Sequence, residues 1–214
     1  MPLPRSFDLV YFCFFLVHIP ASILLDFQIV YPSTYVPPIL PALRQWYVDF
    51  SADPLIGGIA TGKIHPHGEL FWLGCFAWLE LLFQFPTFLL GLRALWTGKS
   101  HPTHLPIISY EAISCHVRKP TNQSLNTASG SQSIYPLLIA YGASTATTTL
   151  PCIFYILKEY SESRITSTQL LILLASYIPF LVVPLVMAID VGFRVYRIVV
   201  VRDGEEEEGK VKRE

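Results

Sequence analysis

The chain has 214 residues, 52% of them hydrophobic and only 14% charged, and its mean hydropathy is +0.45. Soluble domains carry about 25% charged residues, so this is the composition of a membrane protein. A formal net charge of -1, with no basic patch interleaved with aromatics, excludes nucleic acid as a partner.

A hydrocarbon core of about 30 Å is crossed by about 20 mainly apolar helical residues. Four runs meet that length, at 9–31, 70–92, 135–157 and 169–189, and predict an all-α bundle of four transmembrane helices. The expected organisation is a cytosolic N-terminus (1–8), a membrane domain (9–190) and a charged cytosolic tail (191–214).

The first run follows Arg5 as a signal peptide would. It is longer than an h-region and lacks an A-x-A site, so it reads as a retained span. It contains Pro20 and ends in HIPASILLDFQ, from His18 to Gln28, which places Asp26 inside the apolar stretch. Residues 32–69 read as a loop rich in proline and glycine. The second run carries Glu80 near its middle, then Pro86. The connection 93–134 closes on TNQSLNTASGSQS, a tract with little to bury, so 100–133 is expected to be a disordered insertion.

The third run contains YGASTATTT. Gly142, Ala143 and Ala146 permit close helix approach, while Ser144, Thr145, Thr147, Thr148 and Thr149 supply hydroxyls that mostly bond their own backbone. The turn 158–168 is short, which makes the third and fourth spans antiparallel neighbours. The fourth run contains Pro179 and Pro184. A proline in every span, including Pro151 in the third, predicts kinked helices around a central cavity, with Phe76, Trp78, Phe83 and Tyr177 as its aromatic walls.

Four spans put both termini on one side. Eleven of the basic residues fall on that side and four on the other (Arg44, Lys63, Lys158 and Arg164), so the positive-inside rule makes the termini cytosolic. The Asn122-Gln123-Ser124 sequon then faces the cytosol and stays unmodified. The tail KVKRE places Lys210 and Lys212 as in a dilysine retrieval signal, which implies residence in the endoplasmic reticulum membrane.

Cys13, Cys75, Cys115 and Cys152 are widely separated, and the pairs His65/His67 and His101/His104 lack a third ligand, so neither a disulfide framework nor a metal site is indicated. No cofactor is implied. The two acids are the informative residues, since each costs roughly 2.5–3.5 kcal/mol at a helix centre. Two carboxyls in one dry cavity cannot both ionise, and a single shared charge attracts a cation. Helix geometry puts Asp26 and Glu80 about 8 Å apart in depth, close enough that contact stays open. The competing reading is that each acid bonds a neighbouring hydroxyl and only specifies packing.

HIPxxxxxDxQ in the first span, ADPL at Ala52–Leu55, ELLFQFPTF at Glu80–Phe88, YGASTATTTLP at Tyr141–Pro151 and SYIPFLVVP at Ser176–Pro184 together resemble the sigma-2 receptor branch of the EXPERA-domain family, which includes fungal proteins named for efficient mitochondrial targeting. The resemblance implies a four-helix protein of the endoplasmic reticulum whose pocket opens to the bilayer and takes sterols or cationic amphiphilic amines. It assigns amine pairing to Asp26 and hydrogen-bond support to Glu80. It places Asp53 at the pocket mouth, and Tyr141, Thr148 and Tyr177 on the pocket side; His18 and Gln84 belong to the same motifs as supporting residues. Phe180 stands where the animal receptor has tyrosine, which removes a hydroxyl.

Beyond small amphiphiles and the bilayer, candidate partners are newly made mitochondrial or membrane proteins and a second copy of the chain. Two alternatives accompany the binding role. One is a sterol Δ8-Δ7 isomerase, disfavoured because Phe76 occupies the position where the isomerase branch has a histidine one turn before the glutamate. The other is a chaperone or scaffold acting through the cytosolic loop and tail.

Overall fold

The computed structural model describes residues 6–64, 66–97 and 134–211. The expected insertion, the Asn122 sequon and Lys212 lie outside the described residues. All regular structure among the described residues is helical. Helix α1 (Ser6–Leu24) is followed by a 3-10 turn (Asp26–Ile29), α2 (Ile39–Ser51) and α3 (Pro54–Ala60). The chain then runs through α4 (Phe71–Leu79), a π-helical turn (Glu80–Gln84) and α5 (Phe85–Thr97), and continues in α6 (Tyr135–Ser161) and α7 (Ser167–Val211).

Four stretches are long and apolar enough to cross a bilayer: Phe7–Ile29, Phe71–Trp96, Tyr135–Ser161 and Ser167–Val201. Their outward sides carry exposed apolar residues such as Leu9, Leu82, Phe154 and Phe193, as lipid contact requires.

Three local features depart from the sequence reading. Among its described residues the segment 32–69 contains two α-helices and a 3-10 turn (Ser33–Tyr35), because ILPALRQWYVDFS has helical periodicity and the next residues carry their own cap. Asp53 accepts from the Leu55 and Ile56 amides at 2.8 and 3.1 Å, and Pro54 occupies the first turn. The first span does not run unbroken to Tyr31. Its α-helix ends at Leu24 and passes into the 3-10 turn, where the Gln28 side-chain amide donates to the Leu24 carbonyl at 2.7 Å and to Leu40 O at 2.9 Å, fastening α2 to the end of α1. Finally, α7 continues through the expected tail to Val211, making a rod about 68 Å long that outruns the bilayer core more than twofold.

The prolines are absorbed without loss of helix. Ahead of Pro86 the backbone widens into the π turn, with the Phe85 amide on Glu80 O, and the Thr87 hydroxyl donates to Phe83 O at 2.7 Å. Pro184 removes the amide that would serve Phe180 O; the Thr149 hydroxyl, 2.8 Å from Thr145 O, lies 3.4 Å from that carbonyl.

Helices α6 and α7 pack antiparallel along their length. Gly142 lets them approach closely: a Cβ there would collide with Pro184 O and stand 3.0 Å from the Ala188 Cβ. Ala146 is buried in the same seam, whereas Ala143 faces outward. Two apolar clusters close the bundle. Tyr11, Phe15, Phe88, Leu138, Tyr141 and Met187 fill the end near the termini, and Leu55, Leu70, Tyr155, Ile156 and Leu173 fill the other. Between them lies a cavity.

Candidate functional site

His18, Ser22 and Asp26 recur at intervals of four, so α1 and the turn after it present them on one side. Glu80 and Gln84 do the same on the second span. His18, Asp26, Glu80 and Gln84 from these faces line a partly open cavity of about 170 Å³ together with Leu55, Phe76, Thr145, Thr148, Cys152, Tyr177 and Phe180.

Glu80 is held from α1. The Ser22 hydroxyl donates to Glu80 Oε1, and His18 Nε2 lies 3.8 Å from the same oxygen. His18 is buried in an aromatic box. Its ring stacks on Phe88 at 4.4 Å, meets Phe14 and Phe180 edge-on, and has the Tyr141 hydroxyl 3.3 Å from Nδ1. The Gln84 amide donates to Ser144 Oγ at 3.2 Å. Asp26 differs from Glu80. It lines the same cavity as Glu80, and among the described residues no group donates a hydrogen bond to it. No hydrogen bond joins the two carboxyls; Ser22 takes the place of that contact.

Asp53 lies just beyond the cavity and is 1% exposed. Tyr47 and Tyr177 donate to its Oδ2 at 3.1 and 2.9 Å, while Oδ1 caps α3. Burial pushes the Asp53 carboxyl up and the four hydrogen bonds pull it partly back. Burial and the neighbouring carboxyl hold the Tyr47 hydroxyl well above its usual range, so it remains a donor. Ala52 reaches this arrangement with φ 54°, the left-handed conformation that turns α2 into α3.

The assigned positions separate into two groups. Asp26, Glu80, Thr148, Tyr177, His18 and Gln84 line the cavity together. Tyr141 does not; it stands behind His18, its hydroxyl 3.3 Å from Nδ1. The Thr148 hydroxyl donates to its own helix, at 3.2 Å to Ser144 O and 3.1 Å to Thr145 O, so it presents a methyl as much as a polar tip. Of the four aromatic walls, Phe76 and Tyr177 line the cavity; Phe83 does not. Trp78 lies on a separate apolar groove of about 430 Å³ with Ile59, Ile64 and Phe71; Ile29 lines both this groove and the cavity. Ser22 and Tyr47 are site residues that the sequence reading passed over. The four-residue spacing from His18 through Ser22 to Asp26 carried the first; nothing local marked the second.

Residues 39–191 match the family described as EXPERA (EXPanded EBP superfamily). The chain belongs to this family. The EXPERA match begins at Ile39, so it takes in Glu80 and Asp53 but not the first span with Asp26. Over 194 residues the chain is 25% identical to a Xenopus tropicalis protein named sigma intracellular receptor 2, covering 88% of this chain and 90% of that one. Its counterparts of the same name in Homo sapiens and Macaca fascicularis are 30% identical over 97 residues, 45% of this chain and 49% of theirs. The four-span architecture and these relatives together place the EXPERA chain among multi-pass membrane proteins of the sigma-2 receptor branch.

Proposed function

We propose that the protein binds an amphiphilic ligand, a cationic amine or a sterol-like lipid, in the cavity between α1, the π turn and α7. The observation that carries this is Asp26, a carboxyl near the end of the first membrane span that lies away from the termini, open to a cavity and without an internal donor. A buried carboxylate without a partner is costly, and a cation supplied from outside offsets that cost. Glu80, already accepting from Ser22, serves as the second acceptor. The enclosed volume of about 170 Å³ suits an amine head rather than a whole drug-sized molecule, which takes roughly 300–1,000 Å³. The adjoining groove at Ile29 provides an apolar bed for the ligand's body.

The reading includes residence in the endoplasmic reticulum with both termini cytosolic, supported by the basic-residue asymmetry and the Lys210/Lys212 spacing. It also includes a cellular role in sterol homeostasis or in handling newly made mitochondrial or membrane proteins. The test is binding of a radiolabelled cationic amphiphile, a guanidine or piperazine, to membranes carrying wild type, Asp26→Asn or Glu80→Gln, with folding monitored. Wild-type binding that is lost in Asp26→Asn supports the proposal; equal binding by both sinks it.

A second reading is favoured by His18. The isomerase branch has its histidine on the same helix as the glutamate, and here α1 brings one to 3.8 Å from Glu80. In the tautomer in which the Tyr141 phenol donates to Nδ1, the ring's proton is on Nε2, the nitrogen on the Glu80 side. Such a pair could add a proton to one carbon of a sterol alkene while a base removes one from another. Incubating the membranes with a Δ8 sterol and finding no Δ7 product would dismiss this reading without touching the first.

A further inference from the structure

We infer that α2 is a bilayer-anchored helix, seated in the interface of the leaflet opposite the termini, with its outward face in lipid. The observation is the division of its surface into three sectors. At about 100° per residue, Ile39, Trp46 and Phe50 fall within an arc of about 40°. They are 70%, 64% and 60% exposed, and the Trp46 and Phe50 rings stack at 6.0 Å with planes 6° apart. Gln45 and Asp49, which are hydrogen-bonded to each other at 2.8 Å, lie about 100° round from that arc and are also exposed. The third sector faces the protein: Leu40 O receives Gln28, Tyr47 donates to Asp53, and the Ser51 hydroxyl turns back onto Tyr47 O.

A helix with one flank on protein, one apolar and one polar has the pattern required at a boundary between lipid and water. The depth of α2 fixes lipid as the apolar occupant. Gln28 binds Leu24 O and Leu40 O with the same amide, so the start of α2 is held level with the end of the first membrane span. That level is the interfacial zone, where amphipathic tryptophan rings concentrate. The apolar arc of α2 thus continues the lipid-facing surface of α1 rather than forming an isolated patch. Because the flank next to this arc carries Tyr47 into the cavity wall, a helix seated in the bilayer supplies part of that wall.

The experiment uses the full chain reconstituted in phosphatidylcholine vesicles with bromines near the headgroup end of the acyl chains, comparing wild type with Trp46→Phe. The conservative change on an exposed face keeps the fold. The expected result is that bromine-quenched emission falls in Trp46→Phe while acrylamide-quenched emission does not change. The opposite pattern, with acrylamide losing its target, would place α2 in water and overturn the inference. Emission from Trp46 that neither reagent reaches, in a chain that migrates at twice the monomer mass in mild detergent, would assign the face to a second copy and overturn it equally. Phe50→Trp in the Trp46→Phe background gives an independent reading: lipid quenching should return.

Discussion

The Ser22 hydroxyl donates to the Glu80 carboxyl across 58 residues of sequence, joining the first span to the π turn of the second at the point where the cavity begins. A hydroxyl donor on an acid at membrane depth holds that acid in one orientation. It also keeps Glu80 from swinging onto Asp26, leaving the latter open.

Ser22→Ala should therefore weaken amine binding while the bundle still assembles. A hydrogen bond to a charged group is worth about 1.5–3 kcal/mol, so the loss should be about 10-fold to 100-fold in affinity. Ser22→Thr should restore most of it, because the hydroxyl is retained. Competition binding on the two variants checks this; equal affinities for wild type and Ser22→Ala would remove the hydroxyl from the site.

Asp53 makes a pH prediction. Its carboxyl is raised from an ordinary value near 3.8, so the folded state holds the proton more tightly than the unfolded one. Its contribution is fully present below that ordinary value and is lost as pH rises through the raised folded value. The melting temperature of wild type relative to Asp53→Asn should thus decline as pH goes from 4 to 7. A flat difference would show that the hydrogen bonds from Tyr47, Tyr177 and the two amides cancel the effect of burial.

Gly142→Val should separate α6 from α7, since the new side chain meets the Pro184 carbonyl and the Ala188 Cβ, neither of which can withdraw without moving a helix. Overpacking of this kind costs about 1–3 kcal/mol. Gly192→Ala is the control, because nothing lies within 4 Å of its Cβ position. Thermal unfolding in detergent should show a loss for the first and little change for the second.

Arg194 bridges Asp8 at 2.8 Å and Asp190 at 2.7 Å, and Tyr11 donates to Asp190 at 3.0 Å, tying the start of α1 to α7. The guanidinium is largely buried, at 12% side-chain exposure. Arg194→Leu leaves two partly exposed carboxylates without their cation and should destabilise the chain by about 1.5–3 kcal/mol. Combining it with Asp8→Asn and Asp190→Asn should recover much of that loss, measured as unfolding midpoints of the single and triple variants.

The sequence alone determined the solvent of this protein and its spans, because crossing about 30 Å of hydrocarbon demands runs of apolar residues that no loop conceals. It also marked Asp26 and Glu80, since an acid in such a run is conspicuous by cost alone. The helix in 39–51 stayed hidden despite its helical periodicity, because a segment dense in proline and glycine reads as a loop. Only the tertiary structure decided who partners whom. It gave Glu80 to Ser22 and His18, moved Tyr141 behind the histidine, directed Tyr47 and Tyr177 onto Asp53, and left Asp26 without a donor. Spacing along a helix fixes which face a residue occupies, but hydrogen-bond partners depend on the rotation and depth of each rod against the others. Those are set by contacts such as Gly142 on Pro184 and by the backbone adjustments at Leu24 and Glu80.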